Sequence, residues 1–139
     1  MTMDYSSINY LAVLAATFAA FILGSLWYTV LFGKAWQKEL GFTDEYLKKG
    51  NMAAIFGSSF LLMFIMSWGM AWFINVHGEN DVNWLWGMVY GLFIGLFFVG
   101  ASYGINMLYQ RRSFKLWAID SFYQILFLGM QGAILGAWH

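Results

Sequence analysis

Long uncharged or nearly uncharged runs alternate along the chain with short segments that hold most of the charged residues. The apolar runs cover residues 8–32, 52–76, 83–108 and 116–138. Each is about 23 to 26 residues long, enough for an α-helix to cross a hydrocarbon core of about 30 Å with some tilt. None alternates polar and apolar residues in ten-residue units, as transmembrane β-strands do. The pattern predicts an all-α polytopic membrane protein, a bundle of four transmembrane helices.

The composition supports this prediction. The 139 residues are 61% hydrophobic and 10% charged, whereas a soluble domain has about 25% charged residues. The length allows one transmembrane domain, residues 1–139. The chain has no cysteine, which excludes disulfides and thiolate metal sites. Its net charge of zero does not indicate binding to nucleic acid, which needs an excess of basic residues. The partner that the apolar composition predicts is the lipid bilayer.

All seven Lys and Arg residues fall between the first and second or the third and fourth apolar runs. The first of these loops holds Lys34, Lys38, Lys48 and Lys49, and the third loop holds Arg111, Arg112 and Lys115. Short loops rich in Lys and Arg stay in the cytoplasm. We therefore expect both of these loops inside, both termini outside, and insertion in the cytoplasmic (inner) membrane. No basic residue precedes the first apolar run, which argues against a cleavable signal peptide.

The first loop combines interfacial aromatic residues with signals for a short helix. Trp27, Tyr28 and Trp36 stand where the apolar run meets the lysines, a position typical of rings that anchor at the headgroups. Further along, Thr43 can cap a helix that ends before Gly50. Acidic residues fall in its first turn and basic ones in its last, namely Asp44, Glu45, Lys48 and Lys49. This arrangement complements the helix dipole and predicts a short amphipathic helix on the membrane surface.

Small residues recur at about four-residue spacing in three of the four predicted helices. They are Ala12, Ala16, Ala20 and Gly24 in the first, Gly87, Gly91, Gly95, Gly100 and Gly104 in the third, and Gly129, Gly132 and Gly136 in the fourth. Such rows let helix backbones approach closely within lipid. We expect some rows to pack inside the monomer and a spare one, most simply Gly87, Gly91 and Gly95, to form a homo-oligomer contact.

Asp120 is the only acidic residue inside a predicted crossing. Gln124 and Gln131 share its helix face, because they follow it by about one and three turns. Lipid disfavours such a stripe, so it should face protein or water. Other polar residues lie at a similar depth on the remaining helices, namely Ser25, Thr29, Ser58, Ser59, Ser102 and Asn106. Together they predict a polar layer in the cytoplasmic half of the bundle.

Two interpretations of this layer remain open. In the structural one, Asp120 pairs with Arg111, Arg112 or Lys115, and the amides and hydroxyls join the helices. In the functional one, the layer forms a cytoplasm-facing vestibule in which Asp120 binds a cation, a proton or a polar ligand.

Signatures of other chemistry are missing or weak. His77, Glu79, Asp81 and the terminal His139 raise the question of a metal site, but short acidic turns are ordinary in outer loops. The chain has no phosphate-binding glycine loop, nucleophile elbow or HExxH helix. We therefore predict no metal, no cofactor and no enzymatic activity.

Three stretches resemble the small membrane proteins grouped as domain of unknown function 1761. They are "LWYTVLFGKAW" after the first run, the loop "TDEYLKKGN", and "KLWAIDSFY" entering the fourth run. The similarity extends over nearly the whole chain and implies a four-helix integral membrane protein, without an activity or catalytic residues. Family members often have proline after the Trp-Tyr pair. This chain has Thr29 and Val30 there, so a proline kink at the end of the first helix is not expected.

Three functional hypotheses follow. The leading one is an oligomeric scaffold or accessory subunit of a membrane complex, which the small-residue rows favour. The alternative is a channel or transporter for a small solute with its polar site around Asp120. A membrane enzyme or lipid-ligand binder is the third. It resembles the small four-helix glutathione-handling proteins and would need a basic anion site within the bundle, whereas Arg111 and Arg112 lie in a loop.

Overall fold

Helices make up most of the chain that the structure, a computed structural model, describes: residues 8–77 and 82–139. No β-strand occurs in these two segments. The helices are α1 (Tyr10–Leu31), α2 (Gly33–Leu40), α3 (Asp44–Lys48), α4 (Met52–His77), α5 (Trp84–Tyr109) and α6 (Phe114–Ala137). Four of them, α1, α4, α5 and α6, are long and apolar enough to cross a membrane. The predicted all-α bundle is confirmed.

The first loop folds into two short helices. As expected, Thr43 caps α3, and its side-chain oxygen accepts a hydrogen bond from the Tyr46 N–H at 3.1 Å. The second short helix, α2, is not predicted by the sequence pattern; it follows α1 after a single non-helical residue, Phe32. Gly41 ends α2 in the left-handed conformation, with φ 73°, which glycine adopts without a steric penalty.

The last helix, α6, is the centre of the bundle. In the most apolar 18-residue stretch of α6, 56% of the residues are buried, whereas in that of α4 only 6% are. α1 and α5 both pack along α6, while α4 contacts α1 and α6 at the periphery. Aromatic pairs join α4 to α1, with ring centroids 5.1 Å apart for Phe18 and Phe60 and 6.0 Å apart for Phe21 and Phe56.

The glycines of α5 lie against the backbone of α6. A side chain on Gly87 would collide with the Gly132 carbonyl, and one on Gly91 with the Leu128 carbonyl. A Cβ atom at Gly95 would lie 2.7 Å from the Cα atom of Ile125. This glycine row is therefore occupied within a single copy of the chain. Our expectation that it forms the homo-oligomer contact is wrong, because α6 already covers it.

The remaining small residues also lie at contacts between helices. Ala12, Ala16 and Ala20 are fully buried on α1. A Cβ atom at Gly24 would come within 2.6 Å of the Tyr123 hydroxyl, so this position leaves room for the Tyr123 ring. On α5 and α6, a Cβ atom would come close to a residue of the facing helix at each of four further positions: Gly100, Gly104, Gly129 and Gly136.

Candidate functional site

The end of α1 is wound as a π-helix over Trp27–Leu31, and the Phe32 N–H donates to the Trp27 carbonyl at 2.8 Å. A π-helical turn changes the direction of the side chains within it. Here two consecutive aromatic residues reach two consecutive residues of α6. The Trp27 indole N–H donates to the Ile119 carbonyl at 2.9 Å, and the Tyr28 hydroxyl donates to the Asp120 carboxylate at 2.6 Å.

Asp120 is half-buried about 9 Å from the start of α6, at 1.5 Å per residue. Its side chain makes no ion pair with any described residue, so the pairing with Arg111, Arg112 or Lys115 that the structural interpretation predicts is wrong. The reason is helical phase. Lys115 precedes Asp120 by five residues, which places the two side chains about 140° apart around α6. Asp120 instead faces α1, where the Tyr28 hydroxyl meets it.

A second phenol, that of Tyr103, lies near Asp120. Tyr103 of α5 is close enough to Asp120 for electrostatic interaction, and its hydroxyl accepts a long hydrogen bond of 3.4 Å from the Gln124 amide. All three side chains are half-buried, as is that of Tyr28. Tyr28, Tyr103, Asp120 and Gln124 form what we call the Asp120 cluster. A carboxylate flanked by hydroxyl and amide groups can accept hydrogen bonds or hold a cation.

Gln131 shares a helix face with Asp120 but does not belong to this cluster, since it lies about 16 Å further along α6. Its side chain is fully buried. The amide nitrogen donates to the Met63 carbonyl of α4 at 3.2 Å and to the Ala16 carbonyl of α1 at 3.4 Å. The amide oxygen has no hydrogen-bond partner. Gln131 of α6 thus joins three helices, α1, α4 and α6.

The other residues of the expected polar layer divide into two groups. Ser25 and Thr29 are exposed, and their hydroxyls donate to carbonyls of their own helix, those of Phe21 and Ser25. The second group has no side-chain hydrogen bond to any described residue, and it comprises Ser58, Ser59, Ser102 and Asn106. The structure therefore brings Asp120 together with Gln124 only, among the residues selected from the sequence.

An open cleft runs beside the Asp120 cluster, first along α5 and then between α5 and α4. Its polar part is a groove of about 370 Å³ lined by residues of α5 alone, namely Phe98, Val99, Ser102, Tyr103 and Asn106. An adjoining apolar part of about 260 Å³ is lined from α4 by Met66, Gly69, Met70, Trp72 and Phe73, from α5 by Ile94 and Val99, and from α6 by Leu128. Val99 borders both parts. We call the whole feature the α4–α5 cleft.

The sequence pattern does not predict the aromatic members of these contacts. It predicts interfacial anchors at Trp27 and Tyr28, yet Trp27 is only 8% exposed and bonds to α6. Tyr123 was not selected, although its hydroxyl donates to the Ala20 carbonyl at 2.8 Å. A signal was present, because Tyr28 and Tyr103 lie at a depth similar to that of Asp120. Periodicity alone does not show which ring meets the acid.

The possible metal site of His77, Glu79, Asp81 and His139 is not formed by the described residues. The described residues contain no group of three or more His, Cys, Asp or Glu side chains that could hold an ion. Glu79 and Asp81 lie outside the described residues. The ring of His139 has its Nε2 atom 2.8 Å from the Val82 carbonyl oxygen.

Comparison with known proteins gives one family and nothing more specific. No curated protein and no solved structure matches the chain. The family match covers residues 11–136, from the first turn of α1 to the end of α6. The matched region therefore contains the Asp120 cluster, the α4–α5 cleft and all four long helices except for one residue at each end, Tyr10 and Ala137. The chain belongs to the family described as protein of unknown function (DUF1761).

Proposed function

We propose that this protein is an oligomeric scaffold or an accessory subunit of a membrane complex. In the oligomer, the outer face of α4 contacts the same face of a second copy. The outer face consists of Ala54, Gly57, Ser58, Leu61 and Ile65, all exposed in one copy of the chain. The observation that carries the proposal is the low burial of α4: only 6% of the residues in its most apolar 18-residue stretch are buried.

The interior supports a structural role. Side chains of α1 and α6 form hydrogen bonds that connect these two helices directly: Trp27 to Ile119, Tyr28 to Asp120, and Tyr123 to Ala20. In lipid, such bonds and close backbone packing hold helices together, because apolar burial gives no net gain there. A bundle joined at this many points is suited to act as a rigid unit.

The outer face of α4 supports association. Gly57 has open space where a side chain would be. Ser58 follows it and has no hydrogen-bond partner among the described residues. Small residues allow a second helix to approach closely, and a serine hydroxyl gains a partner from that helix that lipid does not provide. A second copy of α4 meets both requirements.

The proposal includes an orientation. The basic residues of the first and third loops, with α2 and α3, face the cytoplasm, and both termini face outside, in the inner membrane. The bias of Lys and Arg supports this assignment.

Cysteine cross-linking tests the contact, because the natural chain contains no cysteine. A single cysteine at Leu61 should form disulfide-linked dimers in native membranes. A cysteine at Ile105, which is equally exposed at 58% but lies on α5, is the matched control and should not. Gly57→Leu should reduce the Leu61 cross-link, while Ala101→Leu on α5 should leave it unchanged. Equal cross-linking at Leu61 and Ile105 would contradict the proposal.

Transport is the second candidate, and one observation favours it. Asp120 lies within a candidate membrane span without a cationic partner among the described residues. A charged group at that position is costly in lipid and is commonly functional. Proton-linked or cation-linked flux in proteoliposomes, abolished by Asp120→Asn in a variant that folds normally, is the expected result of that function. A wild-type protein without flux would exclude it.

A further inference from the structure

Three kinds of side chain follow one another along the α4–α5 cleft towards the basic end of the bundle, the end where α5 stops and α6 begins. The first stretch is apolar, with Met70, Ile94 and Leu128 among its lining residues. Next come the hydroxyl and amide groups of Ser102, Tyr103 and Asn106. Beyond Asn106, one to two turns further on, come the exposed cations Arg111 and Arg112.

We propose that the α4–α5 cleft binds an anionic phospholipid. One acyl chain lies in the apolar part, the ester region meets Ser102, Tyr103 and Asn106, and the phosphate meets Arg111 and Arg112. The site is separate from the outer face of α4 and does not depend on the proposed oligomer.

The length of the cleft fits one acyl chain. From Asn106 to Ile94 the lining residues of α5 span 12 positions, which is about 18 Å at 1.5 Å per residue. One leaflet contributes about half of a hydrocarbon core of about 30 Å. A chain that starts at Asn106 therefore ends near Ile94 and Leu128, where α4, α5 and α6 all line the cleft.

The charges favour a phosphate at this end. Neither arginine forms an ion pair with a described residue. Arg111 has a left-handed backbone, with φ 58°, in the tight turn between α5 and α6. The acid bonded to this turn is Glu39, whose carboxylate accepts a 2.8 Å hydrogen bond from the Ser113 hydroxyl. The arginines remain available to a headgroup, and each basic residue near a membrane surface strengthens the attraction to anionic lipid about five-fold.

Polar side chains in the cleft also need a partner. Ser102 and Asn106 are exposed within a candidate membrane span, and their side chains form no hydrogen bond with any described residue. Acyl chains alone would leave these groups unsatisfied, at a cost in free energy. The glycerol and ester oxygens of a phospholipid accept hydrogen bonds at this depth, just below the headgroups.

Native mass spectrometry of the purified full chain tests the site, with phosphatidylglycerol and phosphatidylcholine of identical acyl chains as probes. We expect preferential retention of phosphatidylglycerol. The pair Arg111→Asn and Arg112→Gln should reduce that preference roughly twenty-fold, since two charges are removed. Asn tolerates the left-handed conformation at position 111. The matched control, Lys34→Gln with Lys38→Gln, removes two charges from the other basic loop and should preserve the preference.

The acyl chain is tested from α4. Gly69 lines the apolar part and has open space at its Cβ position, so Gly69→Phe should fold and fill the cleft. Retention of phosphatidylglycerol should then fall. Gly57→Phe is the control, because Gly57 is equally open but lies outside the cleft; this variant should retain phosphatidylglycerol. The same variant should disrupt the proposed α4 dimer, which separates the two proposals. Three results overturn the lipid site: equal retention of both lipids, equal loss in the lysine control, or undiminished retention in Gly69→Phe.

Discussion

Tyr28 donates a 2.6 Å hydrogen bond to Asp120 across the contact between α1 and α6. The bond gives the acid within α6 a neutral partner instead of the basic residue that the structural interpretation of the polar layer predicts. Its neighbour, the bond from Trp27 to the Ile119 carbonyl, comes from the same π-helical turn. The two bonds therefore belong to one feature, and the end of α1 is held to α6 at successive positions.

The first prediction concerns the strength of this bond. Tyr28→Phe should destabilise the protein by about 0.6 kcal/mol and by no more than about 1.7 kcal/mol, the range measured for hydrogen bonds between membrane helices. Asp120→Asn should cost less, because the amide oxygen still accepts from Tyr28. The measurement is the free energy of unfolding in mixed micelles for Tyr28→Phe, Asp120→Leu and the double variant. Additive losses in this double-mutant cycle would show that the two side chains are not coupled.

A second prediction concerns the glycine contact between α5 and α6. Gly91→Leu should destabilise the bundle by about 3 kcal/mol or more, since the new side chain collides with the Leu128 carbonyl and the helices must separate. Gly69→Leu, on the open side of α4, should cost little. Thermal unfolding of the two variants in the same detergent gives the comparison. Equal melting temperatures for Gly91→Leu and wild type would contradict the close contact.

The third prediction concerns the stability effect of replacing Gln131, whose buried amide nitrogen forms hydrogen bonds while its amide oxygen does not. Gln131→Leu should change stability by less than about 1 kcal/mol, because it loses two weak bonds but also removes the unpaired amide oxygen. Gln131→Ala should cost about 2 kcal/mol or more, since it leaves a cavity among three helices. The order of the two losses in unfolding free energy is the test. A greater loss for the leucine variant would contradict the prediction that packing at this position outweighs the amide hydrogen bonds.

Topology is the subject of the fourth prediction. Single cysteines at Gly50 and Gly78, in the first and second loops of the otherwise cysteine-free chain, should react with an impermeant thiol reagent from opposite sides of the membrane. Gly50 should be labelled only in inverted vesicles and Gly78 in intact cells, because basic loops stay in the cytoplasm. Labelling of both from one side would reject four crossings with alternating loops.

The sequence by itself determined the four long helices, whose observed ends lie within two residues of the apolar runs. The thickness of the bilayer sets how many consecutive apolar residues a crossing helix needs. Such a run is visible in the sequence itself, so hydropathy is sufficient to locate these helices. The cap of α3 by Thr43 was equally local, because it joins residues three apart. The missed helix α2 shows the limit, since a single non-helical residue, Phe32, separates it from α1 and no side chain caps its start.

Only the tertiary structure decided which faces meet. Helical spacing placed Asp120, Gln124 and Gln131 on one face of α6, but their surroundings differ along that face. Gln131 bonds to α1 and α4, while Asp120 has two phenols near it. The glycines at 87, 91 and 95 could equally have faced a second copy until α6 was seen to cover them. Rotation and tilt of each helix depend on contacts distant in sequence, such as Tyr28 with Asp120, and no local pattern along the chain encodes those pairings.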